Sequence, residues 1–247
     1  NICTHWYCYE KHMEQIMKAF VITLKDNQYS NQVADRCIES AKNYGLDVDK
    51  FWGVGIDTAN QVMSDYGLRW SWANNNTSNS VCPITGLHQF PYRAADIRTK
   101  IGCSMSHFLL WEKCVQLGEP ILILEHDAVF LRSLPDVEFK GLCQINDPTG
   151  ATRRGSWWAN KMRERGGKGV FEKTWVTSPS ERQIPDGLAG NSAYMVKPHA
   201  AKELMDKYKE LGVWPNDATM CKQIFPYLEE YYPFVTRVVQ TKSTTIG

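Results

Sequence analysis

The chain has 247 residues, with 28 Lys+Arg against 27 Asp+Glu, 43% hydrophobic and 22% charged. A net charge of +1 excludes a uniformly basic nucleic-acid coat and an acidic disordered tail, and leaves an ordinary globular composition. No apolar run approaches the roughly 18–20 residues of a membrane span and no signal-peptide core opens the chain, so a cytoplasmic protein is expected. The eight cysteines are scattered without a CxxC pair, which reads as free thiols in a reducing compartment. Cys3, His5, Cys8 and His12 lie close together, but the gap from His5 to Cys8 is short for a zinc finger. Residues 1–16 therefore read as a flexible N-terminal extension, and residues 17–247 as one domain.

Residues 19–24 are an apolar run suited to a buried strand. From Tyr29 to Tyr44, Val33, Cys37, Ile38 and Ala41 recur at helical spacing, and Gly45 ends the helix. A second strand is expected over Phe51–Ile56, giving the strand–helix–strand order of a right-handed parallel crossover. Residues 67–100 lack periodicity, and the N-x-T sequence inside 74–77 reads as turn chemistry. A helix is predicted over Cys103–Leu117, stopped by Gly118-Glu119-Pro120. Ile121-Leu122-Ile123-Leu124 follows without alternation, the pattern of a central strand buried on both faces. Shorter strands are expected at Leu142–Ile145, Ala193–Val196 and Phe234–Val239, and helices at His199–Leu211 and Asp217–Ile224. The alternation of strands and helices makes an α/β class.

The central strand runs into Glu125-His126-Asp127, and ligands of open α/β sheets bind beyond the carboxyl ends of strands. Carboxylates two residues apart project to one side of an extended chain. Glu125 and Asp127 are thus placed to share Mg2+ or Mn2+ and leave coordination positions for phosphate oxygens. The bland alternative is that acidic residues simply end the strand in solvent.

Several segments carry a family likeness. Lys100-Ile101-Gly102-Cys103-Ser104-Met105-Ser106-His107, Trp111, and the run from Gly118 to Ala128 resemble glycosyltransferase family 25. That family contains lipopolysaccharide-type sugar transferases and collagen galactosyltransferases. The likeness continues at Phe20–Lys25, Ala189–Val196, Trp214–Asp217, Gln240 and Ser243, in the family's order. It implies a GT-A fold, a Rossmann-like, mainly parallel sheet flanked by helices. It also implies inverting transfer from a nucleotide sugar, usually UDP-linked, with a divalent metal. On this resemblance Glu125 and Asp127 match the ends of an E-D-D metal motif, and His126 departs from its middle Asp. A neutral imidazole there binds Mn2+ or lies beside the diphosphate. Thr23, Leu24, Lys100, His107, Glu125, His126, Gly190 and Asn191 are placed toward the donor, His107 with a helix-positioning role as its alternative. Asp57 is set to meet ribose or uracil, or is a turn residue. Inversion needs a general base, for which Asp217 is the first candidate and Asp186 the second. Asp217 has two further readings, a metal or donor-sugar contact and a helix cap.

The charge is unevenly spread. Residues 151–173 hold seven basic and two acidic side chains, a local +5 that leaves −4 for the rest of the chain. With Trp157 and Trp158 inside it and four glycines around them, this segment reads as a basic loop for an anionic acceptor, through Arg153, Arg154, Arg163 and Arg165. The acceptor is then a phosphorylated glycan of lipopolysaccharide type, or DNA bearing a hydroxymethylated or already decorated base. The alternatives are a solvated loop whose tryptophans pack on the domain, and a catalytically inactive GT-A binding module.

Overall fold

The structure, a computed structural model, describes residues 17–73, 79–91, 94, 96–151, 154–175 and 181–239. The chain begins with β1 (Lys18–Thr23), α1 (Gln28–Lys42), β2 (Val48–Trp52) and α2 (Ala59–Asp65), then a short pair β3 (Ser80–Val81) and β4 (His88–Gln89). Next come α3 (Ile97–Leu117), β5 (Ile121–Glu125), β6 (Ala128–Phe130), β7 (Leu142–Gln144), β8 (Asn146–Asp147), α4 (Gly155–Arg165) and β9 (Gly169–Glu172). The last elements are β10 (Ala193–Val196), α5 (Pro198–Leu211), α6 (Asn216–Thr219), β11 (Glu229–Tyr232) and β12 (Thr236–Val238).

The main sheet has the order β2-β1-β5-β10-β7-β11-β9. The pairing directions send β2, β1, β5, β7 and β11 one way and β10 and β9 the other, so the sheet is mostly parallel. Ile121 to Leu124 are all fully buried, as expected of a strand covered on both faces. One face carries Phe20, Ile121, Ile123 and Tyr194 against α2, α3 and α5; the other carries Val21, Leu122, Leu124 and Met195 against α1 and β6. Strands β6, β12 and β8 form a second small sheet beyond the carboxyl end of β5.

Local chemistry sets the helix ends. The Asn27 side chain accepts the Ser30 N–H and caps α1, and Asp96 accepts the Arg98 N–H and caps α3. Gly118, at φ 69, closes α3 in the left-handed conformation that glycine adopts without strain.

Four expectations change. The second strand starts at Val48 and ends at Trp52, because the chain leaves the sheet at Gly53 to meet α3. The helix expected from Cys103 starts earlier, at Ile97, because Asp96 caps it. The expected helix Asp217–Ile224 is one turn, since Cys221 pairs with Gly187 instead of continuing it. The basic segment is a helix and a strand rather than a loop. Trp158, Ala159 and Met162 make a buried helical face; Gly155, Gly166 and Gly167 stand at the ends of α4, and Gly169 opens β9. Residues 1–16, with Cys3, His5, Cys8 and His12, lie outside the described residues, as do 74–78, Arg153, Gln240 and Ser243.

Candidate active site

The site is built where α3 crosses the carboxyl end of β5. Gly102 brings the helix against the segment after β2: a Cβ there would stand 2.6 Å from the Val54 carbonyl oxygen. Ser106, one turn on, accepts the Val54 N–H at 2.8 Å and donates to the Gly102 carbonyl at 2.7 Å. With Gly102 and Ser106 spent on docking, the next pair around the helix, Cys103 and His107, is turned toward Glu125.

His107 is fully buried and held from both sides. The Trp111 indole N–H donates to the Tyr194 oxygen at 2.8 Å, and Tyr194 meets His107 Nδ1 at 2.9 Å. An ionised Glu125 only accepts, so its Oε1 takes the Nε2–H at 3.3 Å, and in the neutral imidazole Nδ1 then accepts the Tyr194 hydroxyl proton. Ser192 donates to the other Glu125 oxygen at 3.3 Å. Burial works against the Glu125 carboxylate, yet His107, His126 and Ser192 hold its pKa below the ordinary value. His126 shifts down, because burial outweighs the attraction of Glu125.

Asp127 has the opposite environment. Its Oδ1 is buried without a hydrogen-bond partner among the described residues. Burial, and then the charge of Glu125, push its carboxyl up to about 7. Glu125 is thus held ionised while Asp127, two residues on, resists ionisation.

Cys103 is the hub of the sequence-predicted residues. Its thiol, raised by burial, also feels the charges of Glu125, Lys100, Asp217 and Asp127, and its Sγ lies 3.8 Å from Asn216 Oδ1 at the start of α6. Cys103, His107 and Glu125 are thus brought together, and Lys100, Asp217 and Asp127 act on the cluster through their charges. Asp186 is buried one step away: its field reaches Cys221 and Lys222, and Gly187 packs on the Asp217 carbonyl.

Asn191, beside Ser192, is 6% exposed, and neither its Oδ1 nor its Nδ2 has a partner among the described residues. The preceding Gly190 carbonyl accepts from Asn146 Nδ2 at 2.8 Å and from Gln144 Nε2 at 3.2 Å, which fixes this turn. At φ 61, with Ala151 Cβ at 2.7 Å from an added Cβ, position 190 requires glycine.

Other predicted residues stand apart. The Thr23 hydroxyl is fully buried and shared with Ser30 at 3.0 Å, and the adjacent Leu24 N–H donates to Ser30 at 3.1 Å, so both organise the start of α1. Asp57 sits in an exposed turn where its charge acts on Arg98. Trp158 is buried, with Lys173 Nζ 3.8 Å from its ring centroid, and so faces the interior rather than an acceptor. Trp157, Arg163 and Arg165 are on the outer face of α4, and Arg154 is exposed just before its first residue. Arg163 pairs with Asp147 at 3.2 Å, and Arg165 donates to the Glu172 carbonyl at 2.7 Å.

The residues missed at the sequence level are Cys103, Ser192 and Tyr194. All three stand inside the family-like segments, but only the crossing of α3 over β5 and the pairing of β10 with β5 bring them to Glu125.

The fold is a mostly parallel α/β sheet with a carboxylate pair beyond its central strand, and the family match makes the chain a sugar-transferring enzyme. The profile of glycosyltransferase family 25 (LPS biosynthesis protein) matches residues 16–220, and the chain belongs to that family. Among solved structures it is similar to mouse xyloside xylosyltransferase 1 in its apo form, at 11% identity over 86% of this chain and 84% of that one, with a TM-score of 0.36. No curated protein matches it by sequence. No helix among the described residues is long and apolar enough to cross a membrane.

Proposed function

We propose that this glycosyltransferase, as a single GT-A domain over residues 17–247, moves a sugar from a UDP-type nucleotide donor to a glycan hydroxyl, with inversion. The observation that carries the reading is the buried, unpartnered Asp127 Oδ1 beside Glu125 at the carboxyl end of β5. These two residues suit Mn2+ or Mg2+: hard oxygen donors, like charges that repel each other, and an oxygen with no protein partner. Such an ion, when bound, neutralises charge developing on the departing diphosphate.

The chain's own residues do the rest. His107, locked by Tyr194 and Trp111, orients Glu125 and keeps it ionised. Asn191 offers one donor group and one acceptor to the donor's hydroxyls or phosphates. Asp217 takes the proton from the acceptor hydroxyl as its oxygen attacks the anomeric carbon and the carbon–diphosphate bond breaks. Its field reaches Cys103, in the Glu125 cluster, which favours it over Asp186. Trp157, 36% exposed on α4, gives a flat apolar face for an acceptor sugar ring.

A glycan is preferred to DNA because the basic residues of α4 are largely engaged: Lys161 pairs with Glu164 at 2.6 Å, and Arg163 with Asp147. Modified DNA is the second reading, favoured by the local +5 of residues 151–173. Free thiols at all six described cysteines support action in the cytoplasm of a bacterial or phage-infected cell. The test is UDP-sugar turnover with and without Mn2+, together with gel shifts on ordinary and hydroxymethylated duplexes. Metal-dependent turnover without salt-sensitive DNA binding supports the glycan reading. Salt-sensitive binding of the hydroxymethylated duplex moves the assignment to DNA, and turnover indifferent to metal removes the role given to Glu125 and Asp127.

A further inference from the structure

Glu125 has a second set of neighbours whose chemistry differs from that of Asp127. The Cys103 sulfur, a His107 ring nitrogen and a Glu125 oxygen all lie within 4.8 Å of one another. Cys103 and His107 are four residues apart on α3, and Glu125 ends β5, so the three ligand atoms come from two packed regular elements.

We propose that Cys103, His107 and Glu125 form a soft-metal site for Zn2+ or Co2+, distinct in chemistry from the hard-cation pair and competing with it for Glu125. A thiolate, an imidazole and a carboxylate with a fourth position open is a donor set for borderline-soft ions, and Mg2+ does not take the sulfur. The imidazole is already aimed. A metal-bound histidine anchors its other ring nitrogen on a fixed hydrogen-bonding oxygen. Tyr194 provides that oxygen: buried, fixed by Trp111, with its ring stacked on His107 at 5.7 Å between centroids.

The protons balance through the same hydroxyl. In the metal-free site Tyr194 donates to Nδ1, and the imidazole proton is on Nε2. Binding through Nε2 moves that proton to Nδ1, where it is donated to the Tyr194 oxygen. That oxygen then accepts from both Nδ1–H and the Trp111 N–H, and the Tyr194 hydroxyl proton turns away from Nδ1, a cost that metal binding has to outweigh. Cys103 gives up its thiol proton, so one proton is released per ion bound. The site itself does not depend on the function proposed above. Its consequence does: an ion held here draws Glu125 away from Asp127, so Zn2+ inhibits Mn2+-dependent turnover.

The experiment is a Co2+ titration of the metal-free full chain carrying Cys3→Ser and Cys8→Ser, which removes the other cysteines that have histidines close in sequence. One equivalent is expected to give a thiolate-to-cobalt charge-transfer band and visible bands of tetrahedral intensity, displaced by Zn2+ but not by Mg2+. Cys103→Ser abolishes the charge-transfer band, Cys82→Ser keeps it, and His107→Gln weakens Co2+ binding at least tenfold. Absence of the band, or its survival in Cys103→Ser, overturns the proposal. If Cys103→Ser does not fold, a spectrum and affinity unchanged in both His107→Gln and Glu125→Gln overturns it equally. Asp127→Asn separates the two sites: it should abolish Mn2+ binding and leave the Co2+ spectrum intact.

Discussion

Asp127→Asn removes a charge that the metal-free fold holds at a cost, while keeping the shape of the side chain. The carboxyl rises from 3.8 to about 7, through burial first and the charge of Glu125 second. At about 1.4 kcal/mol per tenfold change, this corresponds to a ceiling of about 4 kcal/mol against the ionised folded form. Partial solvent access and relaxation reduce that to an expected gain on the order of 1–3 kcal/mol for the variant. The sign follows from a raised carboxyl: the folded state binds the proton more tightly than the unfolded state. The penalty is absent below about pH 4, grows through the interval, and is complete above about pH 7. Thermal melts in chelator should therefore coincide near pH 4, with the variant's Tm rising above the parent's by about 2–4 °C per kcal/mol at pH 8. Added Mn2+ should raise the parent's Tm but not the variant's, by mass action on the folded state. A variant less stable than the parent at pH 8 without metal, or a gap independent of pH, would refute the reasoning.

His107→Phe leaves the Tyr194 hydroxyl proton without its acceptor and Glu125 Oε1 without its donor, so a stability loss of about 1–3 kcal/mol is expected, with a fall in Mn2+ affinity measured by calorimetry. Asn191→Ala removes two unpartnered polar atoms, so chemical denaturation should show a change under about 1 kcal/mol while donor KM rises about tenfold. Trp158→Ala should cost about 3–5 kcal/mol as a core truncation, whereas Trp157→Ala should stay within about 1 kcal/mol and raise acceptor KM. Equal destabilisation by the two tryptophan changes would contradict the helical reading of α4.

The strands and helices nearest the site were the most legible. Ile121–Leu124 announces a doubly covered strand by lacking alternation, and the Gly118 stop marks the end of α3. Glu125 and Asp127 follow as the residues that such a strand delivers to its carboxyl end. The sequence does not show that Gly102 and Ser106 are consumed in docking Val54, so it gives no reason to turn Cys103 toward Glu125. The sheet order β5-β10-β7-β11 is equally hidden, because it joins strands far apart in the chain. The basic segment misled because its four glycines drew attention from the spacing of Trp158, Ala159 and Met162, which is helical and buried. The burial of Thr23 and Trp158 likewise depends on neighbours, Ser30 and Lys173, that only tertiary structure brings to them.

The most direct test is sugar transfer itself, followed by mass spectrometry. Purified protein, a panel of nucleotide sugars and Mn2+ are mixed with lipopolysaccharide-core oligosaccharides. The acceptor should gain the mass of one sugar residue with one UDP-linked donor. The new linkage should be inverted by NMR, and the gain should vanish in chelator and in Asp127→Asn. Transfer that proceeds equally in Asp127→Asn, or a panel in which every nucleotide sugar is neither transferred nor hydrolysed, would contradict the account.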